Sequence, residues 1–189
     1  GAGVGGILTI WGEAGIGKSR LLTELHRRTP PTFTWLEGRA ISYTQTAPYS
    51  IIGQEVRRSA GIQVDDSDRA AHDKLRGMHL EKAEARLVEG VPADELQREI
   101  FRALRTLISA TARRAPLVLV FEDLHWSDRA SIAAIDALLP LAEDDPILYV
   151  LVARPDTEAP SWALLQKIQT IYSHLPTHVI LGPLSAEAS

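Results

Sequence analysis

The 189-residue sequence contains no cysteine, no asparagine and no long hydrophobic run. Without cysteine there is neither a disulfide framework nor a thiolate metal site, so we predict a domain of the reducing cytoplasm. The apolar run at 147–153 is far shorter than the roughly 20 residues that cross a bilayer. The N-terminus also lacks the basic and then apolar pattern of an export signal. We therefore expect neither a membrane span nor a signal peptide.

Neither sign of charge dominates the sequence. Lys and Arg number 20 against 24 Asp and Glu, which gives a formal net charge of −4 and a pI near 5.9. Modules that bind nucleic acid usually concentrate Lys and Arg, so we expect no direct nucleic-acid binding by this domain. The hydrophobic fraction of 45% excludes a disordered chain, and the length suits a single core.

Strands and helices alternate along the chain. Apolar or β-forming runs predict strands at 7–11, 32–37, 117–121, 147–153 and 178–181. Helical spacing predicts a helix from Gly17 to the Pro30–Pro31 pair, then helices at 49–59, 94–113 and 161–172. Another helix follows the third strand, with Ser127 or Asp128 as its N-cap. This order predicts an α/β fold of three layers, in which helices cover both faces of a mostly parallel five-stranded sheet.

A glycine-rich loop separates the first strand from the first helix. Residues 12–19 read GEAGIGKS and fit the pattern G-x-x-x-x-G-K-[ST], whose backbone N–H groups surround phosphates at a helix N-terminus. Lys18 supplies a positive charge for the β- and γ-phosphates, and the Ser19 hydroxyl is a ligand for Mg²⁺. The predicted nucleotide-binding residues are Gly12, Glu13, Ala14, Gly15, Ile16, Gly17, Lys18, Ser19 and Arg20.

Two carboxylates, Glu122 and Asp123, follow the third predicted strand. Ligands of open α/β sheets bind outside the carboxyl ends of the strands, so we expect both beside the phosphate loop. One carboxylate holds Mg²⁺ and the other orients the attacking water. The usual order is Asp and then Glu, and its reversal here leaves both assignments open. We favour Glu122 with Ser19 in the metal shell and Asp123 next to the water.

The next five residues, LHWSD at 124–128, make the chain resemble the ATPase module of STAND proteins, the signal-transduction ATPases with numerous domains. Within that class it is most similar to the modules of bacterial LuxR-type transcriptional regulators and multidomain class III adenylate cyclases. Shorter stretches at 38–40, 48–49, 153–155 and 181–185 also match, so the resemblance covers essentially the whole chain. It implies a P-loop NTPase fold, and ATP or ADP with Mg²⁺ as the cofactors.

The resemblance also implies roles for single residues. Arg154 matches the sensor arginine that follows the fourth strand and contacts the γ-phosphate, so it joins the two carboxylates in the expected catalytic set. Pro183 matches the beginning of the lid, where proline lies against adenine. We expect Arg39 to be solvated, and His125 and Trp126 to brace the turn after the third strand.

We predict a P-loop nucleotide-binding domain over residues 1–180, with a helical insertion at about 61–91, where charges of both signs mix and periodicity is weak. Residues 181–189 are expected to be the start of a truncated lid. The resemblance implies that the nucleotide is one partner. It also implies partner domains in the same polypeptide: a lid, a winged helix, sensor repeats and an effector. It leaves ATP-dependent self-association open.

The expected function is an ATP-binding and slowly hydrolysing signal-transduction switch in a larger bacterial regulator. A GTPase is excluded because neither N-K-x-D nor D-x-x-G occurs in the sequence. Two alternatives stay open. One is an AAA+ ATPase of the DNA-replication or clamp-loader type, which requires a basic DNA-facing element and an arginine finger. The other is a nucleotide-gated interaction module with vestigial hydrolysis, which Glu122 in place of aspartate favours.

Overall fold

The computed structural model describes residues 5–41, 49, 51–53, 63, 93–172 and 174–182. The strands in this part of the chain are β1 (Gly6–Trp11), β2 (Thr34–Arg39), β3 (Leu117–Glu122), β4 (Ile147–Ala153) and β5 (Pro176–Ile180). The helices are α1 (Lys18–Arg28), α2 (Ala93–Arg114), α3 (Arg129–Leu138), α4 (Leu141–Asp144) and α5 (Pro160–Ile171), with a 3₁₀ turn at Leu124–Trp126. No helix within these ranges has the length and apolarity needed to cross a membrane. Apart from residue 63, the predicted insertion at 61–91 lies outside the described residues, and so does Pro183.

The strands form one sheet in the order β2-β3-β4-β1-β5, and every pairing is parallel. The predicted three-layer α/β fold is therefore confirmed. β1, which leads into the phosphate loop, lies between β4 and β5. Since the carboxyl ends of parallel strands share one edge, the segments that follow β1, β3 and β4 meet there. This edge is where the candidate site is built.

Helices pack on both faces of the sheet. On one face, Leu22 of α1 packs with Ile10, Val120 and Val152. On the other face, helices α2, α3, α4 and α5 cover a larger cluster that includes Tyr149. All six residues of β3 are buried. Because both faces are covered, β3 and β4 are continuous apolar runs and not alternating ones.

Several predicted element ends shift in the structure. β2 begins at Thr34, not at residue 32, because the Phe33 N–H donates to the Pro30 carbonyl oxygen in a turn at 3.0 Å. β5 begins at Pro176, two residues before the predicted 178. Of the two candidate caps of α3, the structure has Asp128, whose side chain accepts a hydrogen bond from the Ser131 N–H.

Candidate functional site

The phosphate loop has a backbone that requires glycine. Gly15 and Gly17 have φ of +76° and +105°, in the left-handed region that other residues rarely adopt. A Cβ on Gly12 would come within 2.7 Å of Ile16 Cγ2. Gly17 is the N-cap of α1 and has no side chain to bond to the helix. The first N–H groups of α1 also lack intrahelical acceptors, which is the property that lets a helix N-terminus bind an anion.

Lys18 folds back over this loop. Its Nζ donates to the carbonyl oxygens of Gly12 at 2.7 Å and of Glu13 at 2.8 Å, and the residue is only 8% exposed. Burial, followed by the positive charge of Arg154, lowers the Lys18 pKa. The loop therefore holds the ammonium group among its own carbonyl groups. Arg20, by contrast, is exposed on the first turn of α1.

The two carboxylates have different surroundings. Glu122 is buried at the end of β3, and its Oε2 accepts a hydrogen bond from the Ser19 Oγ at 3.3 Å. Burial raises the Glu122 pKa. Asp123 has a φ of +55° and accepts a hydrogen bond from the Arg39 Nε at 2.8 Å. The structure thus brings Ser19 and Glu122 together, whereas Asp123 pairs with Arg39. The Arg39 side chain is 60% exposed, so it is both solvated and paired.

Arg154 and His125 have buried side-chain nitrogens at the same edge of the sheet. Among the described residues, neither the Arg154 Nε nor either ring nitrogen of His125 has a hydrogen-bond partner. Burial, and then the charge of Arg154, lowers the His125 pKa. Because the same arginine lowers the Lys18 pKa, its guanidinium is electrostatically coupled both to the phosphate loop and to the turn after β3. That turn packs against β4 and α5. Within it the His125 side chain is buried and the Trp126 side chain is exposed.

A cavity of about 450 Å³ adjoins the first loop residues on the β5 side. Its aromatic and amide walls are not among the site residues predicted from the sequence. The rings of Trp11 and Trp162 meet edge to face with centroids 5.3 Å apart. Gln166 also lines the cavity and lies four residues after Trp162 on α5. The spacing of four residues predicts that Trp162 and Gln166 share one face of a helix. That this face lines a cavity becomes evident only from the packing of α5 beside β1.

The donor set fits a nucleotide with Mg²⁺. A glycine cradle and a buried lysine suit phosphates, and one hydroxyl next to one carboxylate suits Mg²⁺, which keeps several waters and shares phosphate oxygens. No group of three or more His, Asp or Glu able to hold a metal occurs in the part of the chain that the structure describes. A transition-metal site of that kind is therefore not found among those residues.

The parallel sheet and the glycine-bounded loop define a P-loop NTPase. More particularly, the sequence profile of the AAA ATPase domain family matches residues 1–152, and the chain belongs to that family. An uncharacterized protein of Rhizobium meliloti (strain 1021) is 28% identical over an alignment of 208 positions, which covers 98% of this chain and 19% of the relative. The chain thus spans about a fifth of that relative's length.

Two solved structures are similar to this chain. The structure of Drosophila ORC bound to AT-rich DNA and Cdc6 covers 95% of this chain and 51% of that one, at 12% identity and a TM-score of 0.51. A STAND protein with a tetratricopeptide repeat sensor from Pyrococcus horikoshii covers 98% and 22%, at 14% identity and a TM-score of 0.46. The similarity to the first of these shows a shared fold alone.

Proposed function

We propose that this chain is the ATP-binding and slowly hydrolysing switch module of a larger bacterial regulatory protein. The observation that carries the proposal is the contact between the Ser19 Oγ and the Glu122 Oε2 at 3.3 Å, which joins the phosphate loop to the end of β3. Membership in the AAA ATPase domain family supports ATP as the nucleotide. The much longer Rhizobium relative supports a place within a larger protein.

Each residue of the site has a proposed task. ATP with Mg²⁺ supplies the phosphoanhydride bond that water cleaves, and Ser19 and Glu122 would hold the metal. The loop N–H groups bind phosphate oxygens, and Lys18 adds the positive charge that the loop carbonyls now hold in place. Arg154 neutralises charge on the γ-phosphate, and Asp123 orients the attacking water.

Slow turnover is expected from the environment of Asp123. Its carboxylate is engaged by Arg39 at 2.8 Å. Arg39 must therefore release the carboxylate before it can orient water. Until then, ATP stays bound and uncleaved. A γ-phosphate that lasts long enough can hold one arrangement of neighbouring domains, and its loss releases them. The proposed partners are accordingly other domains of the same polypeptide, such as a lid, a sensor arm and an effector.

A nucleotide-gated interaction module with vestigial hydrolysis is the second candidate. The burial that raises the Glu122 pKa and the ion pair of Asp123 both oppose fast hydrolysis.

An ATPase of the DNA-replication type shares the fold, but a net charge of −4 gives this domain no excess of the positive charge that binds phosphate backbones. Hydrolysis stimulated by DNA would favour that reading over ours.

Calorimetry with Mg·ATP, Mg·ADP and Mg·GTP on the wild type and on Lys18→Ala tests nucleotide binding. Losing a charge-assisted contact of about 1.5–3 kcal/mol should weaken ATP binding roughly 10- to 150-fold. Lys167→Ala is the matched control, because it also removes one lysine, but one that pairs with Asp136 on the helical layer. Equal ATP affinity in the wild type and Lys18→Ala would exclude the phosphate-loop assignment.

Phosphate release tests the chemistry. We expect Asp123→Asn to keep ATP affinity and to lose most of its turnover, and Glu122→Gln to need more Mg²⁺ for the same binding. If both variants release phosphate at the wild-type rate, the assigned carboxylate roles are wrong. If the wild type binds ATP tightly and shows no turnover under any condition, the interaction module replaces the slow ATPase.

A further inference from the structure

His125 is buried in the turn after β3, and no described residue forms a hydrogen bond with its ring. It is 5% exposed, and neither Nδ1 nor Nε2 has a partner in the described ranges. Burying polar groups without hydrogen bonds costs stability, and such groups in native proteins call for an explanation. An apolar ring would brace the turn without that cost. Bracing therefore does not account for the two nitrogens.

Arg154 is fixed through its backbone and not through the Nε of its side chain. The Asp156 N–H donates to the Arg154 carbonyl oxygen at 2.9 Å, and Pro155 restricts the residue before it to an extended backbone. The Arg154 Nε is buried without a partner in the same part of the structure. The backbone of Arg154 is therefore held in place, while the Nε of its guanidinium has no hydrogen-bond partner among the described residues.

His125 and Arg154 follow two neighbouring strands, β3 and β4, at the same edge of the sheet. Phe121 of β3 lies opposite Leu151 of β4. His125 follows the first by four residues and Arg154 follows the second by three. The 3₁₀ turn that carries the histidine packs directly against β4. Strand pairing and turn packing therefore bring the histidine and the arginine to one place.

The unpaired atoms are also chemically complementary. A guanidinium Nε carries one hydrogen and can only donate, whereas a neutral imidazole has one nitrogen that accepts. Burial comes first among the causes that lower the His125 pKa, followed by the charge of Arg154, and Lys18 adds to it. Asp123 and Asp156 oppose these effects. The net result favours the neutral ring, which is the form that accepts a hydrogen bond.

We infer that His125 is a positioning residue for Arg154: one ring nitrogen accepts a hydrogen bond from the Arg154 Nε–H when ATP is bound, which leaves the outer guanidinium nitrogens for the γ-phosphate. The inference rests on the proposed function, since it requires the γ-phosphate to lie near Arg154. ADP lacks that phosphate, so the pair contributes to binding ATP and not ADP. His125 thereby helps the module to distinguish the two nucleotides.

A double-mutant cycle tests this role through binding rather than turnover. Affinities for a non-hydrolysable ATP analogue and for ADP, both with Mg²⁺, are measured on the wild type, His125→Phe, Arg154→Met and the double variant. Phenylalanine keeps the ring that braces the turn and removes both nitrogens. His125→Gln retains an acceptor, and Trp126→Phe is the control for a changed ring in the same turn. Thermal melting without nucleotide establishes that each variant is folded.

We expect His125→Phe to weaken binding of the ATP analogue about tenfold, as for the loss of one hydrogen bond that aims a charged group, and to leave ADP affinity within about twofold. The double variant should bind the analogue no more weakly than Arg154→Met, because the histidine acts through the arginine. His125→Gln should recover part of the loss, and Trp126→Phe should match the wild type.

Three results would overturn the inference: equal weakening of ATP and ADP binding, additive effects in the double variant, or wild-type analogue affinity in His125→Phe or Arg154→Met. Its failure can be told apart from failure of the proposed function. If Lys18→Ala weakens ATP binding as expected while the cycle is additive, only the role of His125 is wrong. If ATP binding does not depend on Lys18, the proposed function fails first.

Discussion

Replacing Asp128 with alanine is expected to lower the free energy of unfolding by about 2–4 kcal/mol. Its buried carboxylate accepts hydrogen bonds from the Ser131 N–H at 2.8 Å, the Ser131 Oγ at 2.6 Å and the Tyr49 N–H at 3.2 Å. The first bond caps α3 and contributes about 1 kcal/mol. The other two have a charged acceptor, and their donors lose it in the variant, at about 1 kcal/mol or more each. A loss of 3 kcal/mol corresponds to a melting temperature lower by roughly 6–12 °C in a domain of this size.

Urea denaturation followed by tryptophan fluorescence measures this loss, and two variants serve as controls. Ser127→Ala removes a buried hydroxyl that has no partner in the described residues, so it should cost little. Asp128→Asn keeps one acceptor and should lie between alanine and the wild type. Below its melting temperature, Asp128→Ala should bind ATP within about threefold of the wild type, as for a loss of under 1 kcal/mol. A loss of stability under about 1 kcal/mol, or an equal loss in Ser127→Ala, would refute the reasoning.

Three further changes give separate tests. Because burial raises the Glu122 pKa, the folded protein loses stability as pH rises above the unfolded value. The stability of Glu122→Gln relative to the wild type, measured in urea titrations, should therefore increase as pH rises above about 4.3, the ordinary pKa of glutamate. A difference in stability that does not vary with pH would contradict this. Gly17→Ala places an alanine at a φ of +105° with open space around its Cβ and should cost about 1–2 kcal/mol in thermal melts, whereas Gly53→Ala, which also has open space, should not. Arg39→Ala should change stability by less than about 1 kcal/mol because the arginine of this ion pair is 60% exposed. It should also speed phosphate release by freeing Asp123, and an unchanged rate would argue against that restraint.

The sequence best predicts the strands whose own residues form a clear pattern. β4 has the predicted bounds, and β3 extends one residue beyond the predicted 117–121, because strands covered on both faces are continuous apolar runs. Among the described strands, β5 lies at the edge of the sheet and pairs with β1. Its first residues, Pro176 and Thr177, are poor strand signals on their own. They become part of the strand through their register with Ile7 and Leu8, which a local pattern does not contain.

The candidate site divides in the same way. The phosphate loop is recognisable because one short segment carries the glycines, the lysine and the hydroxyl. The pair between Arg39 and Asp123 was missed because it depends on the register of two strands far apart in sequence, in which Arg39 lies opposite Glu122. The bond from the Tyr49 N–H to Asp128 is equally non-local. The sequence shows which charged residues the chain contains, but the register of the strands determines which of them form pairs.

The reversed order of the carboxylates has a physical interpretation in these surroundings. A metal shell suits a buried carboxylate whose charge needs neutralising and which already meets the Ser19 hydroxyl, and that describes Glu122. Orienting water suits a carboxylate that solvent can reach, and Asp123 is 19% exposed and held by an arginine that can release it. The division of labour would then follow from burial and partners, not from which residue is aspartate and which is glutamate. Under the proposed function, the restraint that Arg39 places on Asp123 would also keep ATP hydrolysis slow.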